Sequence, residues 1–252
     1  MSTDTAYLAM LLDAPLQSWG FASRFQRRTT GLHPTKSGVI GLICAAMGLA
    51  KGSAEEAGTL PKLRELRMTS IAIPRQKSNP WSTQSEDLPV RRLEDFHTVG
   101  GGYDKDRQYQ FIPRKASGGI CDNPTVTRRQ YLLDSRFGVL LTGDHDLLEH
   151  VAVALQDPVW GVWFGRKSCI PAEPIHRGIF ATQIDAQRKL IGDKPLEAFT
   201  IVTEVERFDE GTDSLADQPV SFGDGTSSGP DKRQFAVRRI SVRPGSRPAA
   251  KV

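Results

Sequence analysis

Along the chain the apolar positions form short runs whose spacing alternates between strand-like and helical. Tyr7 to Leu12 is largely apolar and ends at Asp13-Ala14-Pro15, the pattern of a buried strand. Val39, Ile40, Leu42, Ile43, Ala46 and Met47 then recur at helical spacing. They predict a helix from about Ser37 to Leu49, with Thr35 or Ser37 placed to cap its unpaired N–H groups. Leu60, Leu63 and Leu66 suggest a second helical turn, and Met68 to Pro74 alternates as a strand with Ile71 and Ile73 on one face. Phe137 to Thr142 reads as a third strand. Asp144 caps a helix striped by Leu147, Leu148, Val151 and Leu155 and stopped by Asp157-Pro158, and Val159 to Phe164 reads as a last strand. The resulting order, βαββαβ, predicts an α+β fold on the ferredoxin-like plan, shared with RRM-like RNA-recognition modules.

About 60 residues, 75 to 136, separate the second and third strands, too many for a structureless loop in a compact domain unless they serve a purpose. They carry Trp81, the run Gly100-Gly101-Gly102 before Tyr103, and the cations Arg107, Arg114, Lys115, Arg128 and Arg129. Phe96 to Val99 and Thr125 to Leu133 are β-prone flanks able to pair as a hairpin. From Ala172 the texture shifts to frequent prolines with short β-prone runs at Phe199 to Val205 and Phe235 to Val242. Two regions are therefore expected. One is a domain over 1–171 that includes a projecting insertion at 75–136, and the other is a small β-rich C-terminal region over 172–252.

Charge adds a direction. With 33 Lys and Arg against 29 Asp and Glu the net charge is only +4, so placement matters more than total. Basic doublets recur at Arg27-Arg28, Arg128-Arg129, Arg166-Lys167 and elsewhere, mostly beside Gly, Pro or Thr. Cys44, Cys121 and Cys169 are widely spaced and form neither a disulfide framework nor a zinc pattern, which suits a reducing cytoplasm. Neither a signal peptide nor an apolar run long enough to span a bilayer is expected, and no membrane partner.

The candidate chemistry centres on the stretch from Gln17 to Leu42. Trp19 offers a flat ring, Gln17 and Ser18 offer polar groups for bases or 2′-hydroxyls, and Arg27, Arg28 and Lys36 surround a predicted helix N-terminus at Thr35 and Ser37. Cations and an aromatic at such a helix end suit single-stranded RNA. A nucleotide-binding P-loop is a poorer reading, since Thr35 stands where glycine must precede the lysine. Arg166, Lys167 and Ser168 follow Gly165, where a backbone can come close to a ligand and arginine can grip phosphate oxygens. No cofactor or metal is expected: His145 and His150 are five apart and diverge on their helix. A metal-independent ribonuclease needs only an acid, a base and cations, and His33, His97, Tyr103 and Lys105 are of suitable types. A scaffold that binds protein alone, through Trp81, Tyr103 and the insertion, also remains open.

Six segments also carry a resemblance, in family order: Pro15 to Gly20, Pro34 to Leu42, Asp95 to Val99, Thr127 to Leu132, Phe164 to Cys169, and Arg233 to Ala236. Together they resemble the CasD family, the subunit of the subtype I-E CRISPR complex Cascade that belongs to the RAMP superfamily. The resemblance implies a non-catalytic RNA-binding subunit that grips the 5′ handle of the crRNA and caps the backbone filament in antiviral defence. It implies contact with the backbone subunit CasC and the large subunit CasA, with the small subunit CasB and with CasE through the assembly, and indirectly with target DNA. It implies that 75–136 is a thumb reaching toward guide RNA and a neighbouring subunit, with Trp81, His97, Gly101 and Tyr103 as its candidate residues. Arg128 and Arg129 join the RNA-binding candidates, and cleavage is left to another subunit.

Overall fold

A computed structural model describes residues 4–20, 26–78, 85–100, 123–223 and 233–246. Trp81, Gly101, Tyr103, Lys105, Arg107, Arg114 and Lys115 lie outside the described residues. The elements run β1 (Thr5–Gln17), β2 (Arg27–Arg28), α1 (Lys36–Ala46), α2 (Ala54–Glu65), β3 (Arg67–Ala72), β4 (Gln76–Ser78), β5 (Ser85–Asp87) and β6 (Arg91–Val99). Then follow β7 (Thr125–Asp144), α3 (His145–Gln156), β8 (His176–Phe180), α4 (Gln183–Ile191), β9 (Thr200–Glu204), β10 (Asp213–Ser221) and β11 (Gln234–Arg243). The protein is thus a mixed α+β chain built on one large, mostly antiparallel sheet, in the order β10-β11-β9-β3-β7-β1-β8.

β1 sits between β7 and β8 and is covered on both faces, which explains its nearly unbroken burial. Leu8, Met10 and Leu12 pack into the main core with Val39, Ile40 and Ile43 of α1 and Leu148, Val151 and Leu155 of α3. The opposite side chains, Tyr7 and Ala9, meet Leu140, Ala186 and Leu190, so α4 closes the second face of the sheet. Gly138 lies directly beneath this contact: a Cβ there would lie 2.9 Å from Leu190 Cδ1, so the leucine would have to shift.

The strand expected at Val159 to Phe164 is not formed. The backbone N–H groups of Val159 and Trp160 instead donate to the carbonyls of Ala46 and Ala45 (2.9 and 3.2 Å), satisfying orphan acceptors at the end of α1. The strand beside β1 is β8, which the sequence pattern missed because it is short and holds Gly178. β1 also runs through Pro15, where it was expected to stop. The register with β7 steps from Ala14↔Ser135 to Leu16↔Leu133, so proline occupies a position that needs no ladder donor.

Residues 75–136 contain the small β4–β5 pair and a long ribbon. Its flanks pair from Arg91↔Leu133 to Val99↔Thr125, and β7 continues without a break from this ribbon into the central sheet. Strands β9, β10 and β11 extend the sheet beyond β3. They are fastened to α1 by a buried cluster of charges. Asp217 accepts from Arg238 Nε and Nη2 at 2.6 and 2.9 Å, and Glu204 accepts from Lys36 Nζ at 2.9 and 3.0 Å. Two cations face two anions, so the cluster is internally neutral, and removing one member strands another in a medium that solvates charge poorly. Asp217→Ala is therefore expected to cost about 3–5 kcal/mol of folding free energy. Urea titration checks this, and an unchanged midpoint would contradict it.

Candidate nucleic-acid interface

The N-terminus of α1 does carry an anion, but the protein supplies it. Thr35 caps the helix by accepting from Gly38 N at 3.3 Å, and Asp217 Oδ2 accepts from the Lys36 backbone N–H at 2.8 Å. The carboxylate takes the place expected for an RNA phosphate, where the positive end of the helix favours negative charge. Lys36 is 1% exposed, and its ammonium is held by Glu204. Burial lowers the affinity of that ammonium for its proton, with Glu204 acting in the opposite direction. Thr35 is buried and Ser37 half-buried at the same helix end.

Gln17 and Trp19 are likewise interior. Gln17 is fully buried; its amide donates to the carbonyls of Leu12 (2.9 Å) and Ser135 (2.6 Å) and accepts from Trp19 Nε1 at 2.9 Å. Trp19 is 1% exposed, with its ring 6.0 Å from that of Phe164 and its edge under Gly38. Ser18 is also buried; its N–H donates to Phe164 O at 3.0 Å and its hydroxyl to Gln130 O at 3.3 Å. These three hold the loop that carries Arg166 against β1 and β7. In this arrangement Trp19 presents no ring face to solvent.

The remaining cations converge elsewhere. β2 lies parallel to β7, pairing Arg27 with Arg128 and Arg28 with Arg129, while β6 lies on the other side of β7 and sets Phe96 opposite Arg128. The guanidinium of Arg128 sits 5.2 Å from the centre of the Phe96 ring, and Phe96 is 62% exposed. Arg129 Nε donates to Thr127 Oγ1 at 3.1 Å. Arg166 stacks 4.6 Å over Tyr131, and donates to the carbonyls of Gln130 (2.9 Å) and Arg28 (3.0 Å). Lys167 lies 5.7 Å from the Trp163 ring, and both it and Ser168 are exposed.

The chain thus brings Arg27, Arg28, Arg128, Arg129, Arg166 and Lys167 from three distant segments onto the root of the β6–β7 ribbon. Among the described residues, Glu94, 4.0 Å from Arg128, and Asp95, paired with Arg129, are acids beside them. Cations seated on or beside aromatic rings form a surface suited to a polyanion with flat bases. Phe96, Tyr131 and Trp163 were not singled out as its rings from the sequence; the signal was the cross-strand pairing of the Phe96 and Thr127 segments, visible only once register is known. Gly165 is required here: its φ is +95°, and a Cβ would lie 1.8 Å from Ser18 O.

The histidines part company. His97 is exposed on β6, with its carbonyl accepting from Thr127 Oγ1 at 3.0 Å. His33 is half-buried near the Asp217–Arg238 pair. Burial pushes its imidazole below the ordinary value, partly offset by the Pro34 carbonyl, and Arg238 pushes the same way as burial. Among the described residues no cluster of three or more His, Cys, Asp or Glu side chains is placed to hold a metal.

Residues 7–241 match the model of the family described as CRISPR-associated protein (Cas_Cas5). The chain belongs to this family. It is similar to the CRISPR system Cascade subunit CasD of Escherichia coli strain K12, 26% identical over 199 residues that cover 76% of this chain and 78% of the relative. It also superposes on a chain of a CRISPR RNA-guided surveillance complex, with a TM-score of 0.70 and 28% identity, covering 96% of this chain and 91% of that one. A second solved Cas protein superposes with a TM-score of 0.57 and 27% identity over 94% and 95% of the two chains. In this family member no helix among the described residues is long and apolar enough to cross a membrane.

His33 gives the site a pH test. Its folded-state pKa lies below the unfolded value of about 6.5, as does that of His176, which burial also lowers. The unfolded chain therefore binds more protons as pH falls through the window below about 6.5, and stability falls with it until the folded-state values are passed. Urea midpoints are expected to drop between about pH 7.5 and pH 5.5. His33→Gln should flatten part of that dependence, and an unchanged slope would contradict the burial of the ring.

Proposed function

We propose that this chain is the subunit of a Cascade-type surveillance complex that grips the 5′ handle of the crRNA and caps the backbone filament without cutting RNA. Membership of the CRISPR-associated family and similarity to CasD support the assembly. The observation that carries the RNA role is the convergence of Arg28, Arg128, Arg129, Arg166 and Lys167 beside exposed or stacked rings at the root of the ribbon.

The strand order β8-β1-β7-β3, with α1 and α3 on one face, supports reading the first part of the chain as a ferredoxin-like, RAMP-type unit. That unit then extends through β8, with 75–136 as its thumb and β9 to β11 as the C-terminal region. The open sheet face that RRM modules use for stacking is covered here by α4. The ribbon root is the alternative platform. Phosphates would be held by the guanidinium groups, and bases would lie on Phe96 and beside Trp163. CasC and CasA would be direct neighbours, with CasB and CasE joined through the assembly and target DNA through the guide, in the cytoplasm.

The test is handle-RNA binding as a function of salt. Arg128→Ala and Lys167→Ala should each reduce the slope of log affinity against log salt by about 0.7, the value for one phosphate contact on a single strand. Lys36→Ala should lower stability and leave the slope of the folded fraction unchanged, because its ammonium is already paired inside the protein. The same RNA should stay intact in EDTA. Unchanged slopes for the surface variants, or specific cleavage that His33→Ala or His97→Ala abolishes, would overturn the reading.

A further inference from the structure

β7 does two jobs in one strand: its second half belongs to the central sheet and its first half carries the ribbon. The change occurs at Asp134, the sole non-glycine residue with a positive φ (+49°) among the described residues, which faces Pro15 and is left unpaired in a ladder with β1 whose register is otherwise unbroken. A residue in the left-handed region turns the chain away from the extended path of a strand. Four charged side chains meet at the bend. Arg75, just past the end of β3, donates through Nε to Asp134 O at 3.2 Å, and its Nη2 lies 3.1 Å from Asp134 Oδ1. The same Nη2 bonds Asp13 of β1 in a short contact, and Arg136 Nε lies 3.5 Å from the other oxygen of Asp13. Asp13 is 2% exposed, so its charge depends on these partners. Arg75 also reaches the other branch of the insertion, since its carbonyl accepts from Leu88 N at 2.7 Å. The cluster therefore ties β1, the end of β3, the β4–β5 pair and the bend of β7 at one point.

We infer that Asp13, Arg75, Asp134 and Arg136 are positioning residues: they fix the angle of the β6–β7 ribbon to the sheet and so aim Arg128 and Arg129 at the RNA without touching it. The role in RNA binding rests on the reading given above. Arg128 is six positions beyond the bend, a lever of roughly 20 Å at strand rise. A turn of ten degrees would carry its guanidinium about 3.5 Å, more than a hydrogen bond tolerates. Asp134 suits the bend because aspartate adopts a left-handed backbone more readily than most residues, whereas a β-branched side chain resists it.

Spin labels at Thr98→Cys on β6 and Glu149→Cys on α3, in a Cys121→Ser background that leaves only the buried Cys44 and Cys169, report the ribbon angle as a distance distribution. Arg75→Ala is expected to shift or broaden that distribution by several ångströms, and Arg75→Lys to restore most of it. Asp134→Val should do the same as Arg75→Ala, while Asp134→Gly, which adopts positive φ freely and keeps the backbone carbonyl that Arg75 Nε bonds but loses the carboxylate, should shift the mean less than Asp134→Val; this pair carries the test should Arg75→Ala fail to fold. A purely structural role would lower the melting temperature and leave the distances alone, and that result overturns the inference. Handle affinity measured on the same samples should fall with the shift, and full affinity in a variant whose ribbon has moved overturns it as well. A parent chain that never binds the handle would instead sink the RNA reading, while the label distances would still decide whether the cluster sets the angle.

Discussion

The antiparallel ladder between β1 and β7, paired from Thr5↔Asp144 to Gln17↔Leu132, is the interaction on which the rest of the molecule depends. It places Leu8, Met10 and Leu12 on the side of the core covered by α1 and α3. It gives β8 and β3 their places on either side, and through β3 it seats the C-terminal strands. Since β7 runs on past its ladder with β1 as far as Thr125, the same ladder anchors a ribbon that leaves the body of the protein. The surface of converging cations and rings is a property of that continuation: Arg27, Arg28, Arg128 and Arg129 are placed by strand pairing along β7, and Arg166 is seated on it by bonds to the Gln130 and Arg28 carbonyls.

Desolvated charge does a different task in the interior. Lys36, Glu204, Asp217 and Arg238 join helix α1 to strands β9, β10 and β11, and Asp217 completes the helix start where an exogenous anion would otherwise be drawn. Buried pairs of this kind contribute little net stability relative to apolar packing but penalise any arrangement that separates them. They make the C-terminal strands a fixed part of the sheet. The cations along the ribbon, by contrast, are half-exposed or exposed; Arg128 rests on a ring and Arg166 on a ring and two backbone carbonyls, an arrangement that leaves donors open to a polyanion.

Periodicity made β1, α1, α3, β3 and the inner half of β7 legible, because each buries a regular stripe of side chains. The caps at Thr35 and Asp144 were legible for the same local reason: each accepts from a backbone N–H three residues on. What failed was non-local. Lys36 looked like a phosphate ligand because its carboxylate partners lie 168 and 181 residues away. Trp19 looked like a stacking ring because nothing near it in sequence announces Phe164 or the helix that covers it. Val159 to Phe164 has the composition of a strand, yet its first N–H groups go to the end of α1. Helix α4 was missed because only Ala186 is buried outright and Ile184 faces solvent. The basic doublets were visible, but their convergence required register.

The central claim, that RNA lies on the ribbon root and not on the N-terminus of α1, is tested most directly by ultraviolet crosslinking of the assembled, guide-loaded complex followed by mass spectrometry. The account predicts handle nucleotides attached to peptides holding Phe96, Arg128 to Tyr131, and Trp163 to Lys167, with none on the peptide from His33 to Ile40. Adducts on that helix start, with the ribbon peptides left unmodified, would contradict it.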